Sequence, residues 1–230
     1  MNNFKRIQLI GLAILTGALF LWITSLSAEE KKTHNVSFHW AFGALVGSKN
    51  DQRLVAITRD TVLKTGDRIK MLIQLEKKCF VYLFYRTGQD DIHMLFPDGF
   101  SQFAGNYRVA EKYYIPAGEK WFELDDQTGL ETFYLLASAQ RLVELEQMYE
   151  KYAAGQPDEK KVLSQQFLSK IRQIRKKNRK ANSTAERPVP IGGNVRGIST
   201  DVIRTPDIDP IADEVSAPNF YSRTFTIDHR

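Results

Sequence analysis

The fold predicted for this chain is mainly β: an antiparallel β-sandwich or partly open barrel, with an appended helical hairpin and a C-terminal return strand. Three observations predict it. Between residues 36 and 138, short segments alternate apolar and polar side chains with the period of two that a half-buried strand requires. Clusters of Gly, Pro, Asp and Asn separate those segments, with none of the intervening amphipathic helices that a parallel sheet needs. Beyond Ser138 the apolar period lengthens to that of a helix.

The chain opens on a different pattern. Lys5 and Arg6 precede an almost uninterrupted apolar stretch from Ile7 to Ile23, and Ser25 to Ala28 lead to the acidic Glu29 and Glu30. A basic flank, an apolar run and a polar exit mark residues 1–28 as a signal peptide or an N-terminal membrane anchor. The positive charges stay on the cytoplasmic side and the rest of the chain is delivered into a bacterial periplasm. Small Ser25 and Ser27 suit cleavage after Ser27; retention of residues 7–23 as an inner-membrane anchor is the alternative.

Strand signals follow from residue 36. Phe38, Trp40, Phe42 and Ala44 alternate with Ser37, His39, Ala41 and Gly43, and Arg53 to Thr58 is a second short candidate. In the segment 63–76, Gly66 and Asp67 form a turn; Ile69, Met71, Ile73 and Leu75 then point to one side, with Lys70, Gln74 and Glu76 mostly toward water. Cys79 to Tyr85 is apolar on both sides and reads as a central strand. Gly88 to Asp91 reverse the chain before Ile92 to Phe96, which Pro97, Asp98 and Gly99 end. Tyr113 to Ile115 and Trp121 to Leu124 are short strands, and Thr132 to Ala137 is a second central candidate. The sandwich with its first helix is assigned to residues 36–155.

Leu142, Leu145, Met148, Tyr149 and Tyr152 recur at helical spacing until Gly155 and Pro157 break the helix. A basic amphipathic helix is expected over 156–180, with Leu163, Phe167, Ile171 and Ile174 on its apolar stripe. Asp158 and Glu159 at its start and the basic residues at its end suit the helix dipole. Residues 181–219, rich in Pro, Gly and Ser, read as an extended connection. Phe220 to His229 places Phe225 and Ile227 on one face against Thr224, Thr226 and Asp228, so residues 220–230 are expected to return as a strand.

Composition narrows the chemistry. The formal net charge of +5 includes Lys5 and Arg6, so the exported part is not broadly basic. Its positive charge is local, at Lys170, Arg172, Arg175, Lys176, Lys177, Arg179 and Lys180. That run lacks the interleaved aromatic residues of a nucleic-acid reader. It reads as a solvated helix end or as a contact for an acidic partner or an anionic membrane surface. A single cysteine, Cys79, permits no internal disulfide and reads as a buried thiol. His34, His39, His93 and His229 are dispersed without metal-ligand spacing, and Asp90, Asp91, Asp125 and Asp126 sit in turns. No catalytic, cofactor or metal residues are therefore assigned.

Five segments together resemble a named pattern: LKTGDRIKMLIQLE, CFVYLFYRTGQDDIHMLFPDG, YYIPAG, WFELDDQTG and ETFYLLAS. In that order, over roughly residues 55–145, the chain resembles the bacterial domain of unknown function family number 4384. The resemblance implies a β-sandwich-type module of envelope proteins with an accessory or recognition role. It transfers no substrate and no catalytic residues, and the helical basic extension departs from the minimal domain.

The expected function is that of a non-catalytic periplasmic or envelope module for protein interaction or structure. Phe84, Tyr85, Phe96, Tyr113 and Trp121 would be rim contacts, and the basic helix end an electrostatic steering patch toward an unidentified envelope protein. A peptidoglycan or envelope-carbohydrate module is the alternative, using Tyr113, Tyr114, Trp121 and Tyr134 as ring faces with Asp98, Asn106 and Asp126. An uncharacterised envelope enzyme is a third reading.

Overall fold

The computed structural model describes residues 36–48, 51–179, 185–188 and 206–230. Residues 1–28, read above as a signal peptide or membrane anchor, and Lys180 lie outside the described residues. In chain order the strands are β1 (Val36–Val46), β2 (Arg53–Ala56), β3 (Asp60–Leu63), β4 (Arg68–Leu75), β5 (Phe80–Arg86) and β6 (Ile92–Phe96). They continue as β7 (Lys112–Ile115), β8 (Phe122–Glu123), β9 (Gly129–Ser138), β10 (Ala185–Pro188), β11 (Asp213–Ala217) and β12 (Phe220–His229). The helices are α1 (Val143–Ala154) and α2 (Pro157–Lys177).

Two sheets form the sandwich. The first runs β10-β11-β1-β4-β7, with β2 paired to β1 and β8 to β4; the second runs β3-β12-β9-β5-β6. Pairing is antiparallel except between β3 and β12, which lie parallel from Thr226 opposite Asp60 to His229 opposite Leu63. The return strand β12 is thus interior, between β3 and β9. The stretch read as an extended connection contains β11, which pairs with β1 and carries β10 on its other edge.

Between the sheets, Phe38, Trp40 and Phe42 of β1 meet Phe133 of β9 and Tyr221, Phe225 and Ile227 of β12. Phe42 touches Phe133 edge to face at 4.9 Å and Phe225 at 5.5 Å. Full burial of one such side chain contributes about 1.5–3 kcal/mol. At Gly66 the backbone takes φ +86°, a left-handed turn that glycine enters without Cβ strain, and the Lys64 amide donates to the Asp67 carboxylate at 2.8 Å.

Strands β5 and β9 are apolar on both faces because the helical hairpin covers their outer side. Tyr82, Phe84, Leu136 and Phe220 pack there against Leu145, Tyr152, Leu163, Phe167 and Ile171. Pro157 begins α2, where its missing amide costs no helical bond. The bend before it needs glycine, since a Cβ at Gly155 would stand 2.5 Å from the Leu163 side chain. Helix α1 also caps the edge of the second sheet: Tyr152 and Tyr149 hydroxyls accept the Ile92 and Met94 amides at 2.9 and 2.8 Å.

Lys70 departs from the expected water-facing position and is 5% exposed. Ile208 and Ala212, with Tyr114 and Trp121, cover the outer face of the first sheet around it. Its ammonium donates to the Gly118 carbonyl and, at 3.0 Å, to that of Lys120, and it lies 5.1 Å from the Tyr114 ring centre. Burial holds this amine below the usual lysine range, with Asp207 and Glu119 acting in the opposite sense.

Candidate functional site

The apolar stripe of α2 faces the second sheet, so residues flanking Ile171 and Ile174 overhang β12 and β9. Arg172 and Arg175, one turn apart, border a cleft of about 720 Å³ together with Arg59 from the loop before β3, Arg223 of β12 and Tyr134 of β9. The outward hydroxyls of Thr224 and Thr226 and the carboxylate of Asp60 also line it. Arg175 is positioned by donating from Nη1 to the Thr224 hydroxyl at 2.9 Å. Arg223 also borders this cleft, but its side chain alternates with Thr224 and Thr226 onto the inter-sheet face of β12, where its guanidinium lies 3.9 Å from Asp213 and 5.0 Å from the Phe225 ring centre.

A second depression shares Tyr134, Arg172 and Arg175 with this cleft and adds Arg86, Asp90 and Lys161. Arg86 is paired with Asp90. The two depressions together are lined by the cations Arg59, Arg86, Lys161, Arg172 and Arg175 against two carboxylates, Asp60 and Asp90. Arginine forks present two donors each in a plane, the geometry that carboxylate and phosphate oxygens accept.

The rest of the basic run divides by contact. Lys170 pairs with Glu144 of α1, and the bond it donates holds that carboxyl below the usual glutamate range. Lys176, Lys177 and Arg179 are exposed.

Two of the aromatic rim candidates are buried. Phe84 is fully buried beneath α2, with its ring centre 4.9 Å from that of Phe167. Phe96 closes the main core, 5.3 Å from Tyr113. The hairpin covers Phe84 and the first sheet covers Phe96, so neither is a rim contact. Tyr85 turns inward and stacks on Phe133 at 4.8 Å. Tyr113 is half-buried, its hydroxyl accepting the Arg108 amide at 2.6 Å. Trp121 is half-buried beside Lys70.

The ring faces considered for a carbohydrate do not converge. Tyr113 joins the main core and Tyr114 the opposite face of β7, with Trp121; Tyr134 lies on the other sheet, at the arginine groove. Asp98, Asn106 and Asp126 are exposed in three separate loops.

One buried polar group was not foreseen. Glu131 of β9, 7% exposed, accepts a hydrogen bond from the Tyr85 hydroxyl and lies 4.0 Å from His229 Nδ1. The Thr65 hydroxyl donates to the Asp125 carbonyl at 2.9 Å, so at 3.2 Å from His229 Nε2 it serves as that nitrogen's acceptor. Nδ1 then faces Glu131 without a hydrogen-bond partner among the described residues. Burial raises the Glu131 carboxyl above the usual range, opposed by the Tyr85 hydrogen bond and by His229. Tyr85 and Glu131 border an inter-sheet cavity of about 460 Å³ walled by Ile69, Phe122, Leu124 and Phe133. Glu131 follows the Gly129 turn, and position alone gave no sign that β12 would seal it.

Cys79 is fully buried, and its thiol is pushed up to about 11 by burial, which suppresses the nucleophilic thiolate. Among the described residues, His39 lies 3.3 Å from Glu76, and no three His, Cys, Asp or Glu residues gather as a metal site. No helix among the described residues is long and apolar enough to cross a membrane.

Comparison with curated proteins and with solved structures finds no match to the chain. Residues 62–141, running from the end of β3 through β9 to the threshold of α1, match the family model of a domain of unknown function, DUF4384.

Proposed function

We propose that this protein is a non-catalytic interaction module of the bacterial cell envelope. Residues 1–28 export it, and it works either free in the periplasm or held at the inner membrane by residues 7–23. The observation that carries this reading is the convergence of Arg59, Arg172 and Arg175, from a loop and a helix far apart in sequence, on one cleft beside the exposed end of α2. The sandwich and hairpin act as a rigid base, and the cationic side of α2 meets an acidic surface on an envelope protein. Such a surface gives orientation and fast encounter through charge complementarity. Crosslinking the native protein in intact cells and identifying the attached proteins tests the proposal. A specific partner lost on reversing the charge of Arg172 and Arg175 is expected; recovery of none across growth conditions contradicts it.

A further inference from the structure

We infer that the cleft between α2 and β12 is a binding site for a multiply charged phosphate group. The inference rests on the reading of the cationic side of α2 as the working surface, and it adds the ligand chemistry. Arg59, Arg172 and Arg175 offer their guanidinium groups to the cleft, and no lysine among the described residues lines it: Lys161 of α2 lines only the adjoining depression, and Lys170 is committed to Glu144. That division matters because a guanidinium offers parallel donors to two oxygens of one phosphate, whereas an ammonium acts as a point charge.

The remaining lining has the same character. Tyr134, Thr224 and Thr226 bring hydroxyls that donate to oxygens, and Asp60 is the one carboxylate on the cleft wall among the described residues. Arg175 is held in place by Thr224 at 2.9 Å, so part of its ordering cost is met before a ligand arrives. A cavity of about 720 Å³ exceeds the needs of a single phosphate and suits a diphosphate, or a phosphate carrying an ester substituent. The arginines stand on a helix and a strand-entry loop that pack on the two cores, so the geometry does not depend on a flexible tail. Free phosphate compounds and phospholipid headgroups share this chemistry.

Calorimetric titration of the full-length protein in detergent, at low ionic strength, decides the matter. Sodium pyrophosphate is the free-phosphate probe, and short-chain phosphatidylglycerol below its micelle concentration is the headgroup probe. Saturable one-site binding of pyrophosphate is expected, weakened about tenfold or more by Arg172→Gln with Arg175→Gln, since each removes a charge-assisted hydrogen bond. Arg172→Lys with Arg175→Lys keeps the charge and is expected to weaken binding as well, which guards against a folding defect in the glutamine variant. Lys78→Gln with Lys151→Gln removes equal charge from exposed positions away from the cleft and from α2, and is expected to change affinity less than about twofold.

Competition between the two probes identifies a shared site, and the tighter of the two identifies the source. Equal losses in the cleft and control variants, or citrate binding as tightly as pyrophosphate, would overturn the phosphate assignment. Absence of saturable binding by both probes would do the same. If that absence came with a crosslinked envelope partner still dependent on Arg172 and Arg175, the interaction reading would stand without this ligand.

Discussion

Tyr82 of β5 and Glu146 of α1 are joined by a 2.6 Å hydrogen bond that fastens the helical hairpin to the second sheet. The same hydroxyl accepts the Leu142 amide at 2.9 Å, just where α1 begins. Arg141 closes the network by pairing with Glu146, which is 4% exposed. One phenol thus satisfies a helix-entry amide and a buried carboxylate together. Burial and the Glu146 bond both raise the tyrosine above its usual range, so it stays a donor at any physiological pH.

Tyr82→Phe keeps the ring and removes both bonds. The Glu146 carboxylate then loses a buried donor, a loss of about 2–3 kcal/mol. Urea unfolding followed by tryptophan fluorescence is expected to show a lower midpoint with an unchanged slope. An unchanged midpoint would mean that Arg141 alone secures Glu146.

At Glu131 the sign of the pH effect follows from its raised carboxyl. The folded state binds this proton more tightly than the unfolded chain does. Its contribution is therefore fully present below the unfolded value of about 4.3 and is lost as pH rises through the folded value. Glu131→Gln retains an acceptor for Tyr85 and brings an amide donor toward His229 Nδ1, so it is expected to raise the melting temperature at pH 7 to 8. The gain is expected to shrink toward pH 4. A variant less stable than the parent throughout that range would contradict the assignment of burial as the dominant cause.

Cys79 offers a simpler check. With the thiol near 11, about one molecule in a thousand carries the thiolate at pH 8, and full burial blocks access to it. A disulfide reagent is expected to modify Cys79 at the rate of unfolding, and at once in denaturant. Rapid modification of the native protein would show the main core to be open there.

Legibility in the sequence followed the range of the interactions. The alternation in β4 and the two-sided apolar runs of β5 and β9 announced their roles directly, as did the helical stripe from Leu163 to Ile171. The β12 pattern also announced a strand. Its parallel pairing with β3 did not appear, because it joins Asp60–Leu63 to Thr226–His229 across most of the chain and leaves no local period. Strand β11 was hidden by its shortness and by the proline-rich stretch before it. Lys70 looked solvated because its cover comes from residues near 208 and 212.

The groove was half legible for the same reason. Arg172 and Arg175 stood out within a basic run, whereas Arg59 was an isolated charge until α2 docked over β12. Phe84 and Phe96 were offered as rim contacts because local alternation cannot say which faces a hairpin and a second sheet will cover. Their apolar character was real, and it served the two cores.

Site-specific photocrosslinking in living cells tests the interaction claim most directly. A photoreactive residue at Lys176, exposed on α2, is compared with one at Gln127, exposed in the turn before β9. A discrete crosslinked envelope protein is expected from position 176, disappearing with Arg172→Glu and Arg175→Glu, and none from position 127. Identical products from both positions, or a product from 176 that survives both charge reversals, would contradict it.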